Sequence, residues 1–402
     1  MILSFPDQFF WGTSTSAAQI ETADGHQWEG LKTKDGFTFK RTIDHEKQRL
    51  EDAAFICQFG TVYRCSVDWA RLQKAPLHPF DPSVIKEYQT LFDYLQKEGM
   101  HIMLVLHHFA HPRWFEEAGG WTKEENITYF VNFAEQCQKH FGTYVFNWNT
   151  FNEPNVYALN AFLLGHFPPY QKRKLSRANR VLRHMAWAHQ IVYDLFKQNS
   201  PDIPIGISHN TAWFESTNFL GRLGASISDW WFNRKVPKLF RPVDYWGISY
   251  YAYVPFTPIP LTEINHPGAL AKRQIPHDKM WGYYPEGLGK VMQWIYGKYK
   301  KPIIITENGI CTDDPQRRSH SIIDYLKVIH QALQEGVKIE GYIHWSTFDN
   351  FEWNLGPTYR FGLVQVDLNT KERTMTKAGE FYARITRKNK LELETDGLPK
   401  ND

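Results

Sequence analysis

The sequence predicts an α/β protein built as a single (β/α)8 barrel, and three observations carry that expectation. Short β-rich runs alternate with longer helical patterns from one end of the chain to the other, the runs number about eight, and no Pro/Gly/Ser-rich linker divides them. In chain order the runs cover residues 9–12, 61–66, 102–107, 145–152, 205–209, 245–250, 303–307 and 342–345. Between them, residues 82–97, 123–140, 179–198, 286–299 and 318–334 repeat apolar side chains at helical spacing. Most strands thus gain a following helix, and only the stretch after residues 205–209 marks its helix poorly. Residues 257–280 carry several Pro and a Gly with little periodicity, which reads as a long loop after the sixth strand, of the kind that shapes a site on a barrel. The barrel is expected over residues 1–385, and the polar, mixed-charge residues 386–402 as a frayed C-terminal tail.

At 402 residues the chain is long enough for two average domains, but barrels use this length for one, and no internal repeat of solenoid period competes with that reading. A hydrophobic fraction of 42% with 22% charged residues is ordinary for a globular core and excludes a largely disordered chain. The aromatic content of 16%, with 15 Trp, tilts the reading towards carbohydrate, because Trp and Tyr present flat faces to sugar rings. A formal net charge of +3, from 46 Lys and Arg against 43 Asp and Glu, gives no strong overall field, so neither nucleic acid nor a membrane is expected as a partner and a small or neutral substrate fits better. Cys57, Cys65, Cys137 and Cys311 form no CxxC pair and read as free thiols of a reducing compartment. The stretch from Phe5 shows no basic region followed by an apolar one, and no later run approaches a spanning helix, so a soluble cytoplasmic protein is expected.

The chemistry concentrates at the C-terminal ends of the proposed strands, the face on which barrel enzymes keep their sites. Thr150-Phe151-Asn152-Glu153-Pro154 closes the fourth strand and Ile305-Thr306-Glu307-Asn308-Gly309 the seventh, so two carboxylates from distant sequence face one pocket. A lone strand-end Glu more often caps a helix or pairs with an Arg. Two of them, across one barrel, are what glycosidic bond cleavage needs: one to protonate the leaving oxygen, the other to deliver electrons to the anomeric carbon from the opposite face. His107, His108 and His111 lack the spacing of a recognised zinc motif, and no metal or organic cofactor is expected.

The ordered motifs resemble family 1 of the glycoside hydrolases along nearly the whole chain. They run from Phe10-Trp11-Gly12 and Gln19-Ile20-Glu21 through Tyr63-Arg64, Trp69-Ala70-Arg71-Leu72, His107-His108, Gly119-Gly120-Trp121, the two Glu motifs and Tyr250-Tyr251, to Asp349-Asn350-Phe351-Glu352-Trp353 and Arg360-Phe361-Gly362-Leu363. The resemblance implies that Glu153 is the acid/base and Glu307 the nucleophile of a retaining β-glycosidase. It implies further that Gln19, His108, Asn152, Glu352 and Trp353 bind the sugar hydroxyls, that Trp345 stacks beneath the ring, and that Arg64 and Tyr251 support the nucleophile. A carboxylate at Glu352 opposes a 6-phosphate, which favours a neutral β-glucoside, β-galactoside or β-fucoside. Trp345 and Trp353, on spacing alone, would read as core aromatics.

The chain departs from the family pattern at four places. Ser249 stands where the family usually has Asn, His108-Phe109-Ala110 replaces His-Trp-Asp, Cys65 replaces Phe, and the stretch between Trp28 and His45 is short. These departures bear on rate, glycone choice and the aglycone side. Two other functions share the same pocket: transglycosylation, in which a hydroxyl acceptor replaces water on the covalent intermediate, and sugar binding on a catalytically dead barrel. The presence of both Glu153 and Glu307 argues against the latter.

Overall fold

The computed structural model describes residues 2–216, 218–256 and 267–393. Strand β1 (Ile2–Ser4) precedes the barrel strands β2 (Phe10–Ser14), β3 (Val62–Ser66), β4 (His101–His107), β5 (Val145–Asn152), β6 (Ile205–Glu215), β7 (Tyr245–Pro255), β8 (Ile303–Asn308) and β9 (Ile339–Trp345). These eight form a closed parallel barrel in sequence order, with β9 pairing back onto β2. Two short antiparallel pairs complete the sheets: β10 (Val364–Val366) with β11 (Arg373–Met375), and β12 (Lys390–Glu392) with β1.

All eight sequence-marked strands and the five sequence-marked helices are present. The helices cover Pro82–Lys97, Ile127–Phe141, Leu175–Asn199, Pro285–Tyr299 and Pro315–Gln334. Three begin with Pro in the first turn, and Asp81 and Asp314 cap their helices by accepting from the backbone N–H of Ser83 and Gln316, which satisfies a donor that the helix itself leaves open. Strand alternation sorts the core into two layers. Val62, Met103, Tyr245, Ile304 and Ile343 fill the bottom of the barrel lumen, while Tyr63, Ile102, Leu104, Ile303, Ile305 and Tyr342 belong to the larger core beneath the helices.

Two expectations need correction. Residues 386–393 are not frayed: Thr386 to Lys388 finish the helix Lys377–Lys388, and β12 then pairs with β1, with Leu391 buried. Asn389 ties the chain's two ends together, accepting from Trp11 Nε1 at 2.9 Å and from the Phe5 backbone N–H at 3.2 Å. Charge made this segment look like a tail, and the strand that pairs with it lies at the far end of the sequence. The loop expected over residues 257–280 contains the helix Pro267–Lys272, while residues 257–266 lie outside the described residues. The poorly marked helix after β6 is Phe219–Asp229. Among the described residues no helix is long and apolar enough to cross a membrane.

Candidate active site

Both carboxyl groups reach the lumen through an irregularity in their own strand. On β8, Ile304 points into the lumen and Ile305 away from it, so strict alternation would turn Glu307 outward. The register shifts between Ile305 and Asn308, and a shift of this kind re-aims the following side chain inward. On β5 the register shifts between Asn149 and Asn152, which lets both Asn side chains face the lumen although they are three positions apart. Glu153 follows directly, in the left-handed region at φ 45°, with its N–H bound to Ser208 O at 2.7 Å. Phe109 and Trp353, at φ 59° and 47°, are strained in the same sense at the same rim, the kind of cost that persists at functional sites. Gly309 has no room for a Cβ, because its backbone lies against the Trp345 carbonyl.

Arg64 organises the floor. Its Nη1 donates to Glu307 Oε1 at 2.6 Å and to Ser14 Oγ at 2.9 Å, and its Nη2 donates to Asn152 Oδ1 at 2.6 Å and Ser208 Oγ at 2.9 Å. Tyr251 donates its hydroxyl proton to the other carboxylate oxygen, Glu307 Oε2, at 2.9 Å. Because guanidinium only donates, Asn152 must present its oxygen to Arg64 and its amide nitrogen to His108, 3.0 Å from His108 Nε2. That nitrogen of His108 therefore accepts, and its Nδ1 carries the proton with no partner among the described residues. Burial, with Arg64 beside it, holds His108 well below the usual histidine range, so the ring is neutral. Gln19 donates from Nε2 to Phe351 O at 2.9 Å and Asn350 Oδ1 at 3.0 Å, and approaches Glu352 Oε2 at 3.5 Å. Its Oε1 is likewise buried and free of partners among the described residues. Two orphaned polar atoms at one rim suit a ligand with hydroxyl groups.

The aromatic residues sit as a wall. His108 lies 5.7 Å from Trp345 and 6.0 Å from Trp353, ring centre to ring centre, and Phe109 packs edge-on against Trp353 at 5.2 Å. The Phe109 carbonyl accepts from Trp28 Nε1 at 3.0 Å and Gln27 Nε2 at 2.9 Å, so the short stretch after Trp28 is anchored to the site it borders. The residues that the family resemblance named for catalysis and sugar binding are thus brought together here, whereas the motif residue Trp11 bonds Asn389 away from the site.

One contact escaped the sequence reading. Asn210, paired in register with Ser249, donates from Nδ2 to Glu153 Oε1 at 2.8 Å. It lies one residue beyond the expected end of β6 at residue 209, which is why the sequence did not point to it. Ser14 and Ser208, which seat Arg64, carried no signal of their own.

The two carboxyl groups live in opposite fields. Burial raises Glu153, the charge of Glu307 raises it further, and donation from Asn210 offsets only part, leaving it pushed up to about 8. Burial also raises Glu307, but there the Arg64 charge and the Tyr251 and Arg64 hydrogen bonds pull the other way. A proton held between the two therefore rests on Glu153. Tyr251 stays protonated, since burial and the adjacent Glu307 raise it well above the usual phenol range. Glu352, half-buried, is raised by burial and by Glu307, with Gln19 acting against both.

The comparisons with known proteins identify the family to which this barrel belongs. The model of glycosyl hydrolase family 1 matches residues 1–219 and 233–391. β-Glucosidase A of Thermotoga maritima is 27% identical over 97% of this chain and 99% of its own length. A 6-phospho-β-galactosidase of Clostridium acetobutylicum is 28% identical over 96% of this chain and 98% of its own. Among solved structures, a β-glycosidase from Pyrococcus horikoshii superposes with a TM-score of 0.87 at 28% identity, covering 99% of this chain and 100% of that one. Matched along nearly its full length in both sequence and barrel, the chain belongs to glycosyl hydrolase family 1 and is a glycoside hydrolase of the β-glucosidase-like kind.

Proposed function

We propose that this enzyme is a retaining exo-β-glycosidase that acts on a neutral glycone by double displacement. The observation that carries this reading is the unequal hold on the two carboxyl groups: Glu307 is gripped on both oxygens by Arg64 and Tyr251, whereas Glu153 has no cation on it and keeps its proton. In the first step a Glu307 oxygen attacks the anomeric carbon, the bond from that carbon to the aglycone oxygen breaks, and Glu153 protonates the departing oxygen. Forming the ester removes the Glu307 charge, one of the causes that raise Glu153, so Glu153 acidifies and is ready to take a proton from water. That water attacks from the face opposite Glu307 and releases the sugar with its original configuration.

In this reading Asn152, aligned by Arg64 and His108, holds the 2-hydroxyl, Gln19 and Glu352 hold the far side of the ring, and Trp345 lies beneath it. No Lys or Arg among the described residues pairs with Glu352, so the glycone end supplies no counter-charge for a 6-phosphate there. The test is a panel of 4-nitrophenyl β-glucoside, β-galactoside, β-fucoside, β-mannoside and 6-phospho-β-glucoside, with the released anomer followed by NMR. Turnover of a neutral member with the β-anomer appearing first is the expected result. First release of the α-anomer would remove the nucleophile assignment, and a preference for the phosphorylated member would remove the neutral glycone.

A further inference from the structure

The helix that follows β6 is built inside out. Over Phe219–Asp229 the small residues Gly221 and Ala225 are buried and Gly224 lies against Phe256, so the helix rests on the body through glycine and alanine. Its large apolar side chains face solvent instead: Phe219 is 82% exposed, and Leu220, Leu223, Ile227 and Trp230 are each half exposed or more. At helical spacing these five project within a stripe about 100° wide. A contiguous stripe of this kind on a soluble surface marks something that covers it. It also falls where the family match is interrupted, between residues 219 and 233.

The charge around the stripe says what the cover is. The segment that follows this helix meets the helix Leu175–Asn199, where Trp231 Nε1 donates to Asn179 Oδ1 at 3.1 Å, and that helix also exposes Leu175 and Trp187. From Gln171 to Tyr193 there are six Lys and Arg and no Asp or Glu, and from Ser216 to Val243 five against one. The net charge of +3 averages over this separation, and the remainder of the chain has an acidic excess. Exposed aliphatic side chains and two Trp amid local cations complement a surface that is anionic at its face and apolar beneath, which is the interfacial layer of a bilayer. Nucleic acid would match the cations but not Phe219, Leu223 and Ile227. The stripe also stands at the catalytic rim, because the strand that carries Asn210 to Glu153 runs on to Glu215, just before this helix.

We propose that this face docks the enzyme on an anionic lipid bilayer. Resting on the glycosidase reading above, it assigns as substrate class β-glycosides whose apolar aglycone is held in a membrane.

Cosedimentation of the full chain with vesicles tests the docking without relying on activity. Vesicles of pure phosphatidylcholine and of phosphatidylcholine mixed with phosphatidylglycerol are compared at low and high salt. The expected result is binding to the anionic vesicles that weakens with salt and falls at least about tenfold in Leu223→Ser/Ile227→Ser and in Arg180→Glu/Arg183→Glu. Turnover of a soluble 4-nitrophenyl glycoside should be unchanged in both variants, which also shows that they fold, while turnover of a glycolipid in the vesicle falls with binding. Absence of binding to any vesicle, binding unaltered in both variants, or a wild-type dimer that Leu223→Ser/Ile227→Ser converts to monomer without any vesicle binding would each overturn the proposal. A protein that binds vesicles but turns over no glycoside would retire the glycosidase reading and leave the docking surface in place.

Discussion

The ends of β5 and β8 present the same side chain, Glu, in the same lumen, yet the two are treated in opposite ways. At the end of β8, Glu307 meets a guanidinium and a phenol, donors that favour the ionised form. At the end of β5, Glu153 meets one neutral amide and faces the charge of its partner. The difference teaches that residue type does not assign catalytic roles in this pocket; the neighbours do. Arg64 stands between the two ends, bound at once to Glu307 and to Asn152, the residue before Glu153, so it fixes the spacing of both.

The comparison is broken most severely by removing Glu307, the proposed nucleophile. Glu307→Gly is expected to lower kcat by at least about 10⁴-fold, read as initial rates on an aryl β-glycoside, and azide should restore turnover by occupying the space of the lost carboxylate. Glu153→Ala should cost about 10²–10⁴-fold on substrates with basic leaving groups and much less on 4-nitrophenyl glycosides, whose leaving group needs little protonation. A sharper probe of the β8 end is Tyr251→Phe. Loss of one hydrogen bond to a charged group is worth about 1.5–3 kcal/mol, so kcat should fall about 10–100-fold with little change in thermal stability.

The smallest expected effect lies in the pH profile. The acid must carry its proton, and a carboxyl raised to about 8 carries it below that pH and loses it above, so kcat/KM should decline through about pH 8 on the alkaline side. Asn210 donates to the ionised form, which lowers the value. Asn210→Ala should therefore move the alkaline limb upward, by up to about one unit, and leave the acid limb in place. A downward shift would show that Asn210 stabilises the protonated acid instead.

How much of this was legible in the sequence follows from where each signal sits. The barrel was readable because both layers of the core write themselves into strands and helices: runs such as Ile303-Ile304-Ile305 bury both faces, and the helices between them carry one apolar stripe. The rim was less so. β6 and β7 continue past the barrel to Glu215 and Pro255, pairing with each other from Ala212↔Ala252 onward, and a pairing partner cannot be read from one strand alone. Asn210 was missed for that reason. The helix Phe219–Asp229 was poorly marked because Gly221, Gly224, Ser226 and Ser228 are weak helix formers, although its large apolar residues do recur at helical spacing. The strand irregularities that turn Asn152 and Glu307 into the lumen leave no compositional trace, so the motifs named both carboxyl groups without showing how either reaches the site.

The most direct test of the unequal roles is the configuration of the azide products from two variants, determined by NMR. In Glu307→Gly, azide takes the place of the nucleophile and attacks from its face, so the account predicts the α-glycosyl azide. In Glu153→Ala, Glu307 still forms the covalent sugar and azide displaces it from the opposite face, so the β-glycosyl azide is predicted. The same anomer from both variants, or the two exchanged, would contradict the assignment of Glu307 as nucleophile and Glu153 as acid/base.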